Sequence, residues 1–105
     1  MSFEVRFWGV RGSIACASSQ YTTYGGNTSC VEVRIDDRII VLDAGTGIRE
    51  LGKKILADGV TSAHLMFTHT HWDHINGFPF FVPAYIPTHS FNILAGHLKD
   101  RRGSI

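Results

Sequence analysis

The sequence predicts an α/β domain built on a mixed β-sheet, and three observations predict it. Short apolar or alternating stretches recur at residues 3–7, 31–35, 39–42, 63–67 and 91–95, each of strand length. A single helical stripe, Ile48, Leu51 and Ile55, separates the third stretch from the fourth. Glycine, proline and aspartate punctuate the intervals. Strands, helix, strand, short helix, strand is an order that gives a sheet with helices packed on it.

Each element follows from its local pattern. Phe3, Val5 and Phe7 alternate with Glu4 and Arg6, which predicts a strand with those apolar side chains in the core. Gly9 and Gly12 break it and open a loop. A Gly-rich loop after a strand can cradle phosphate, but this one has neither GxGxxG nor a Walker lysine. The loop runs through Ser18, Ser19, Thr22 and Thr23 to Gly25-Gly26-Asn27-Thr28-Ser29, either as plain surface or folded over a site. Val31, Val33 and Ile35 alternate with Glu32, Arg34 and Asp36, giving a second half-buried strand that turns at Asp36-Asp37-Arg38.

The unbroken run Ile39-Ile40-Val41-Leu42 predicts a strand buried on both faces. It ends in Asp43-Ala44-Gly45-Thr46-Gly47, where a buried aspartate needs partners: loop amides, or a histidine that it orients. Thr46 or Gly47 is placed to cap the helix, Arg49, Glu50, Lys53 and Lys54 mark its polar side, and Gly59 stops it. Residues 63–67 form the fourth strand. From His74 a short helix is expected over 75–81, ended by Pro83 and Pro87, and residues 91–95 make the fifth strand, closed by Gly96.

Composition narrows the class. Of 105 residues, 44% are hydrophobic, enough for a core, and 18% are charged, too few for a disordered chain. A net charge of +1 gives no basic field for nucleic acid, and Lys99, Arg101 and Arg102 read as a solvated basic patch. Cys16 and Cys30 have no CxxC partner and read as reduced thiols of a cytoplasmic protein. The N-terminus lacks the basic and apolar regions of a signal peptide. The apolar run at 78–86 is broken by Pro79 and Pro83 and is too short to span a bilayer, so no membrane role is expected.

Chemistry concentrates in Thr68-His69-Thr70-His71-Trp72-Asp73-His74, where three of the six histidines and an aspartate fall within six residues. Delivering so many ionisable groups from an apolar strand is costly unless something pairs with them, and a divalent cation does so. His69 and His71, two apart on extended backbone, point the same way and can chelate one ion. Asp73 and His74 fall where the chain turns and can reach a second. A metal pair can deprotonate a bridging water and hold both attacked group and leaving oxygen. Asp73 is the catalytic candidate, since aspartate can bind metal while hydrogen-bonding that water. No HExxH zincin motif is present. His64, His89 and His97, each isolated, are expected to be ordinary core or surface residues.

The cluster resembles the HxHxDH signature of the metallo-β-lactamase superfamily. The flanks resemble it too: Gly9-Val10-Arg11-Gly12-Ser13 and Gly26-Asn27-Thr28-Ser29 are similar to the opening segments of its ribonuclease Z-like and phosphodiesterase branch. Asp43-Ala44-Gly45 resembles the Asp-x-Gly motif, and His74-Ile75-Asn76-Gly77-Phe78-Pro79 the motif's continuation. The resemblance implies the N-terminal half of an αββα sandwich, a single partial domain over 1–105. It implies two divalent ions, usually zinc and sometimes iron or manganese, with His69 and His71 on the first, Asp73 and His74 on the second, and Asp43 behind them orienting a ligand. It implies a hydrolase whose bridging water attacks phosphorus, acting on a small phosphodiester or nucleotide. RNA is a less fitting substrate for so neutral a chain, and absence of an export signal argues against β-lactams. A complete member has three further ligands downstream. The 31 residues after His74 hold His89, His97 and Asp100, none in a matching context. The alternative expectation is therefore a truncated, non-catalytic metal-binding half-domain that self-associates or needs a partner chain.

Overall fold

Five strands form one sheet in sequence order: β1 (Phe3–Gly9), β2 (Cys30–Ile35), β3 (Arg38–Leu42), β4 (Ser62–Met66) and β5 (Ser90–Leu94). The computed structural model describes residues 2–95. The β1–β2 and β2–β3 pairs are antiparallel, as hairpin connections allow, and β3–β4 and β4–β5 are parallel. The crossover between β3 and β4 is α1 (Ile48–Ala57). The mixed sheet is thus as the sequence predicts, and no helix among the described residues is long and apolar enough to cross a membrane.

The helix buries Ile48, Leu51 and Ile55 completely, against Cys30, Ile39, Val41, Ala63 and Leu65 of the sheet. Burying side chains of this size stabilises the fold by roughly 1.5–3 kcal/mol each. Thr46 does not cap α1; Gly47 holds the cap position without a side-chain bond, and Gly59, at φ 71°, ends the helix in the left-handed region.

The sheet faces differ from expectation. Phe3, Val5 and Phe7 are 62%, 47% and 67% exposed rather than in the core. Register aligns them with Ile35, Val33 and Val31, and onward with Ile40, Leu42, Met66 and Leu94, as one apolar face opposite α1. Ile40 and Leu42 are only half-buried, so β3 is fully covered on one face and not on both. The covered face of β2 carries the charges instead. Glu32, 4% exposed, accepts from Trp8 Nε1 at 2.9 Å and pairs with Arg34, which reaches on to Asp58 beyond α1 at 3.1 Å. Alternation located the two faces; mutual pairing let the charged one turn inward.

The short helix expected over 75–81 is instead a chain of 3-10 turns, Trp72–His74, Phe78–Phe80 and Val82–Tyr85. Pro79 and Pro83 lie at the starts of the last two, where their missing N–H does no harm but prevents α-helical continuation. Phe81 anchors the segment, fully buried and edge-on to Phe91 at 5.1 Å.

Candidate metal centre

The carboxyl ends of β3 and β4 lie side by side, the place where α/β sheets gather binding residues. The chain leaving β3 is the hub there. Asp43 N–H donates to Met66 O, Ala44 N–H to His74 O, and Gly45 N–H to Ser29 O, while Gly77 N–H donates back to Ala44 O. A β-carbon at Gly77 would overlap the Gly45 carbonyl, so two loops touch backbone to backbone and seat the histidine segment on residues 43–47.

Asp43 organises this end. Its Oδ1 accepts from Thr68 N–H at 2.8 Å, and its Oδ2 accepts from Thr68 Oγ1 at 2.8 Å and faces His74 Nδ1 at 2.9 Å. A carboxylate accepts only, so His74 carries its proton on Nδ1 and leaves the Nε2 lone pair free. The Thr68 hydroxyl, its proton given to Asp43, faces His69 Nδ1 at 3.0 Å and accepts from it, which frees His69 Nε2 in the same way. These tautomers follow from the bonding pattern.

The cluster gathers as a unit. The His69 ring lies 4.4 Å from that of His71 and 4.1 Å from that of His74. Asp73 Oδ2 is 3.5 Å from His74 Nε2 and accepts Ser13 N–H at 3.0 Å. The Ser13 bond holds the Asp73 carboxyl below the usual carboxylate range, helped by the neighbouring His74 and His69 rings. The ring packing draws no line between a His69–His71 pair and an Asp73–His74 pair. Among the described residues no three His, Cys, Asp or Glu side chains converge to hold an ion as they stand. The donor set nonetheless fits divalent cations: imidazoles with free Nε2 atoms beside an ionised carboxylate.

Elsewhere, His64 meets Asn92 at 3.3 Å and His89 stacks on Phe91 at 6.4 Å. His97, Lys99, Asp100, Arg101 and Arg102 lie outside the described residues. Sequence reasoning missed Thr68, which links Asp43 to His69, and the Ser13 amide. It left the role of residues 26–29 open. They pack inward: Thr28, fully buried, exchanges bonds with Thr46 through Thr28 N–H to Oγ1 at 2.9 Å and Thr46 N–H to Oγ1 at 2.8 Å. Thr28 Oγ1 also lies 3.3 Å from Asn76 Oδ1, and Thr46 Oγ1 donates to Asn27 at 3.1 Å. Small polar residues between glycines were the available signal.

A family model for the metallo-beta-lactamase superfamily matches residues 23–90. Among solved structures, the metallo-beta-lactamase fold protein YhfI from Bacillus subtilis is similar at TM-score 0.70 and 18% identity, with 95% of this chain and 39% of that one covered. A diphosphatase from the PhnP family is similar at TM-score 0.53 and 20% identity, with 85% and 39% covered. The chain therefore spans 39% of the length of each of these two structures. No curated protein matches it at significance.

Proposed function

Since the chain belongs to the metallo-beta-lactamase superfamily, most of whose members are metal-dependent hydrolases, we propose that it carries the first ligand set of a dinuclear phosphodiesterase. His69 and His71 would hold one divalent cation and Asp73 and His74 the other, zinc being the best match to the imidazole donors and iron or manganese the alternatives. Such ions, when bound, supply Lewis acidity and a more acidic water.

The chain's own residues do the rest. Asp43 fixes the His74 proton on Nδ1, Thr68 does so for His69, and Ser13 occupies Asp73 Oδ2. The Ser13 bond fixes the Asp73 carboxylate beside His74 Nε2, at 3.5 Å, where it would hold the ion together with His74 and could take a hydrogen bond from a water there. The observation that carries the reading is the buried Asp43 carboxylate against His74 Nδ1, 6% exposed and 2.9 Å away. It is a costly arrangement unless His74 is being oriented for use. The phosphodiester as substrate rests on the likeness of the segments at Gly9 to Ser13 and Asn27 to Ser29 to those of the phosphodiesterase branch; of the two, Ser13 bonds Asp73 and Thr28 lies against Asn76. A small nucleotide diester suits a chain of net charge +1 better than RNA.

One observation favours the second reading, a metal-binding half-domain that is inactive until another half or partner chain completes it. The exposed apolar face of Phe3, Val5, Phe7, Met66 and Leu94 is the kind of surface that a further layer covers. Purified full-length protein should contain about two metal ions per chain and hydrolyse bis-p-nitrophenyl phosphate, with the activity lost in His71→Ala. A protein without bound metal, or a His71→Ala variant of full activity, overturns the hydrolase. The 105-residue chain alone, examined by metal titration and sedimentation, discriminates the second reading, which an active stoichiometric monomer refutes.

A further inference from the structure

The loop between β1 and β2 does more than reach Asp73. It lines an open cleft of about 400 Å³ whose walls include Val10, Arg11, Gln20, Tyr21 and Tyr24. That volume is of the size that accepts a small organic ligand.

We propose that this cleft binds the nucleoside portion of the substrate, with the base on Tyr24 and the Arg11 guanidinium at its edge. The proposal rests on the phosphodiester reading for the identity of the ligand. Four observations carry it. The lining is aromatic, amide and cationic and contains no acid, which suits a planar ligand attached to an anion. Arg11 lies 4.4 Å over the Tyr21 ring with its Nε spent on Ile14 O at 2.7 Å. The guanidinium is thereby oriented, and its terminal nitrogens make no hydrogen bond among the described residues, so they remain for a ligand.

Tyr24 is 83% exposed, a large aromatic held in water on a turn that needs Gly25 at φ 80°. The loop is braced on both sides of that turn: Arg11 N–H donates to Asn27 O and Cys16 N–H to Gly26 O, while Ser18 Oγ caps the Ser19–Tyr21 turn. An exposed aromatic on a braced loop is a stacking surface, and every base offers it a π-face. Lastly, the cleft wall at Arg11 and Gly12 continues directly into Ser13, whose amide holds Asp73 at 3.0 Å, which ties that wall to the cluster.

The test compares 5′-AMP with ribose 5-phosphate, which lacks only the base, by calorimetric titration of the full-length protein. AMP should bind about ten-fold more tightly. Tyr24→Ala should bring AMP to the level of ribose 5-phosphate, Tyr24→Phe should retain AMP binding, and Arg11→Ala should weaken it. Equal binding of the two ligands, or AMP binding indifferent to Tyr24→Ala, overturns the proposal. Bis-p-nitrophenyl phosphate hydrolysis is followed in parallel. A protein that fails to hydrolyse it, yet binds AMP in a Tyr24-dependent way, refutes the phosphodiesterase and supports the cleft.

Discussion

Replacing Asp43 by asparagine isolates what its charge does. The backbone there sits at φ 65°, a left-handed conformation that asparagine tolerates as aspartate does, so the substitution adds no backbone strain. Asparagine Oδ1 can keep the Thr68 amide bond, but its Nδ2 then stands where Oδ2 accepted from the Thr68 hydroxyl and faced His74 Nδ1, at 2.8 and 2.9 Å. The Thr68 hydroxyl can reverse and accept. His74 can accept only by losing the Nδ1 proton, which moves to Nε2, the atom that would hold the ion. Forfeiting one hydrogen bond to a charged group costs about 1.5–3 kcal/mol. At about 1.4 kcal/mol per decade that is about ten- to a hundred-fold in metal affinity. Competition with a chromophoric chelator measures the affinity, and imidazole ¹⁵N shifts report the tautomer. Zinc affinity unchanged within about two-fold, with His74 shown to have moved its proton to Nε2, would refute the reasoning.

Two further outcomes concern the scaffold. Hydrogen bonds from Lys54 and then Arg34 hold the Asp58 carboxyl below its ordinary value of 3.8. A depressed pKa contributes stability that is present above the unfolded value and lost as pH falls through the folded one. Asp58→Asn should therefore be less stable than the parent in urea at pH 7 and equal to it at about pH 2; a gap that persists in acid refutes the assignment. Burial, then the Asp43 and Glu32 charges, pushes the Cys30 thiol far up, whereas Cys16 is half-buried in the loop. Alkylation at pH 8 followed by peptide mapping should mark Cys16 in the native protein and Cys30 only in denaturant; equal native rates would show that the sheet face over Cys30 is open.

The elements were legible wherever one local pattern decides one outcome. Ile48, Leu51 and Ile55 give α1, alternation gives β1 and β2, and the histidines announce their own cluster. The pattern could not say which face of the sheet α1 would cover. Glu32 looks outward by polarity, yet Trp8 and Arg34 satisfy it on the covered face, and the Trp8 bond, made across 24 residues, leaves no local trace. Nor could polarity tell the run at 75–81 from an α-helix; the prolines broke the hydrogen-bond register into 3-10 turns. Ser13 contributes to Asp73 only its backbone amide, a group that every residue but proline has, so no residue type could mark it.

Asp43 shows why the most buried part of the site was the most readable. Two independent constraints fall on this position. Its φ of 65° admits glycine, asparagine or aspartate at little cost, and its 6% exposure demands that any carboxylate be fully bonded. Glycine would satisfy the backbone and leave His74 Nδ1 without an acceptor. Glutamate could offer the charge, but its longer chain neither suits the left-handed backbone nor places both oxygens on Thr68. Aspartate alone meets both, and it does so because β3 and β4 run parallel and end together, bringing Thr68 within 2.8 Å across a gap of 25 residues. His71, exposed and a ligand only in the proposed reading, has no such partner among the described residues, so its orientation is the one in the cluster that a bound ion, rather than the fold, would have to set.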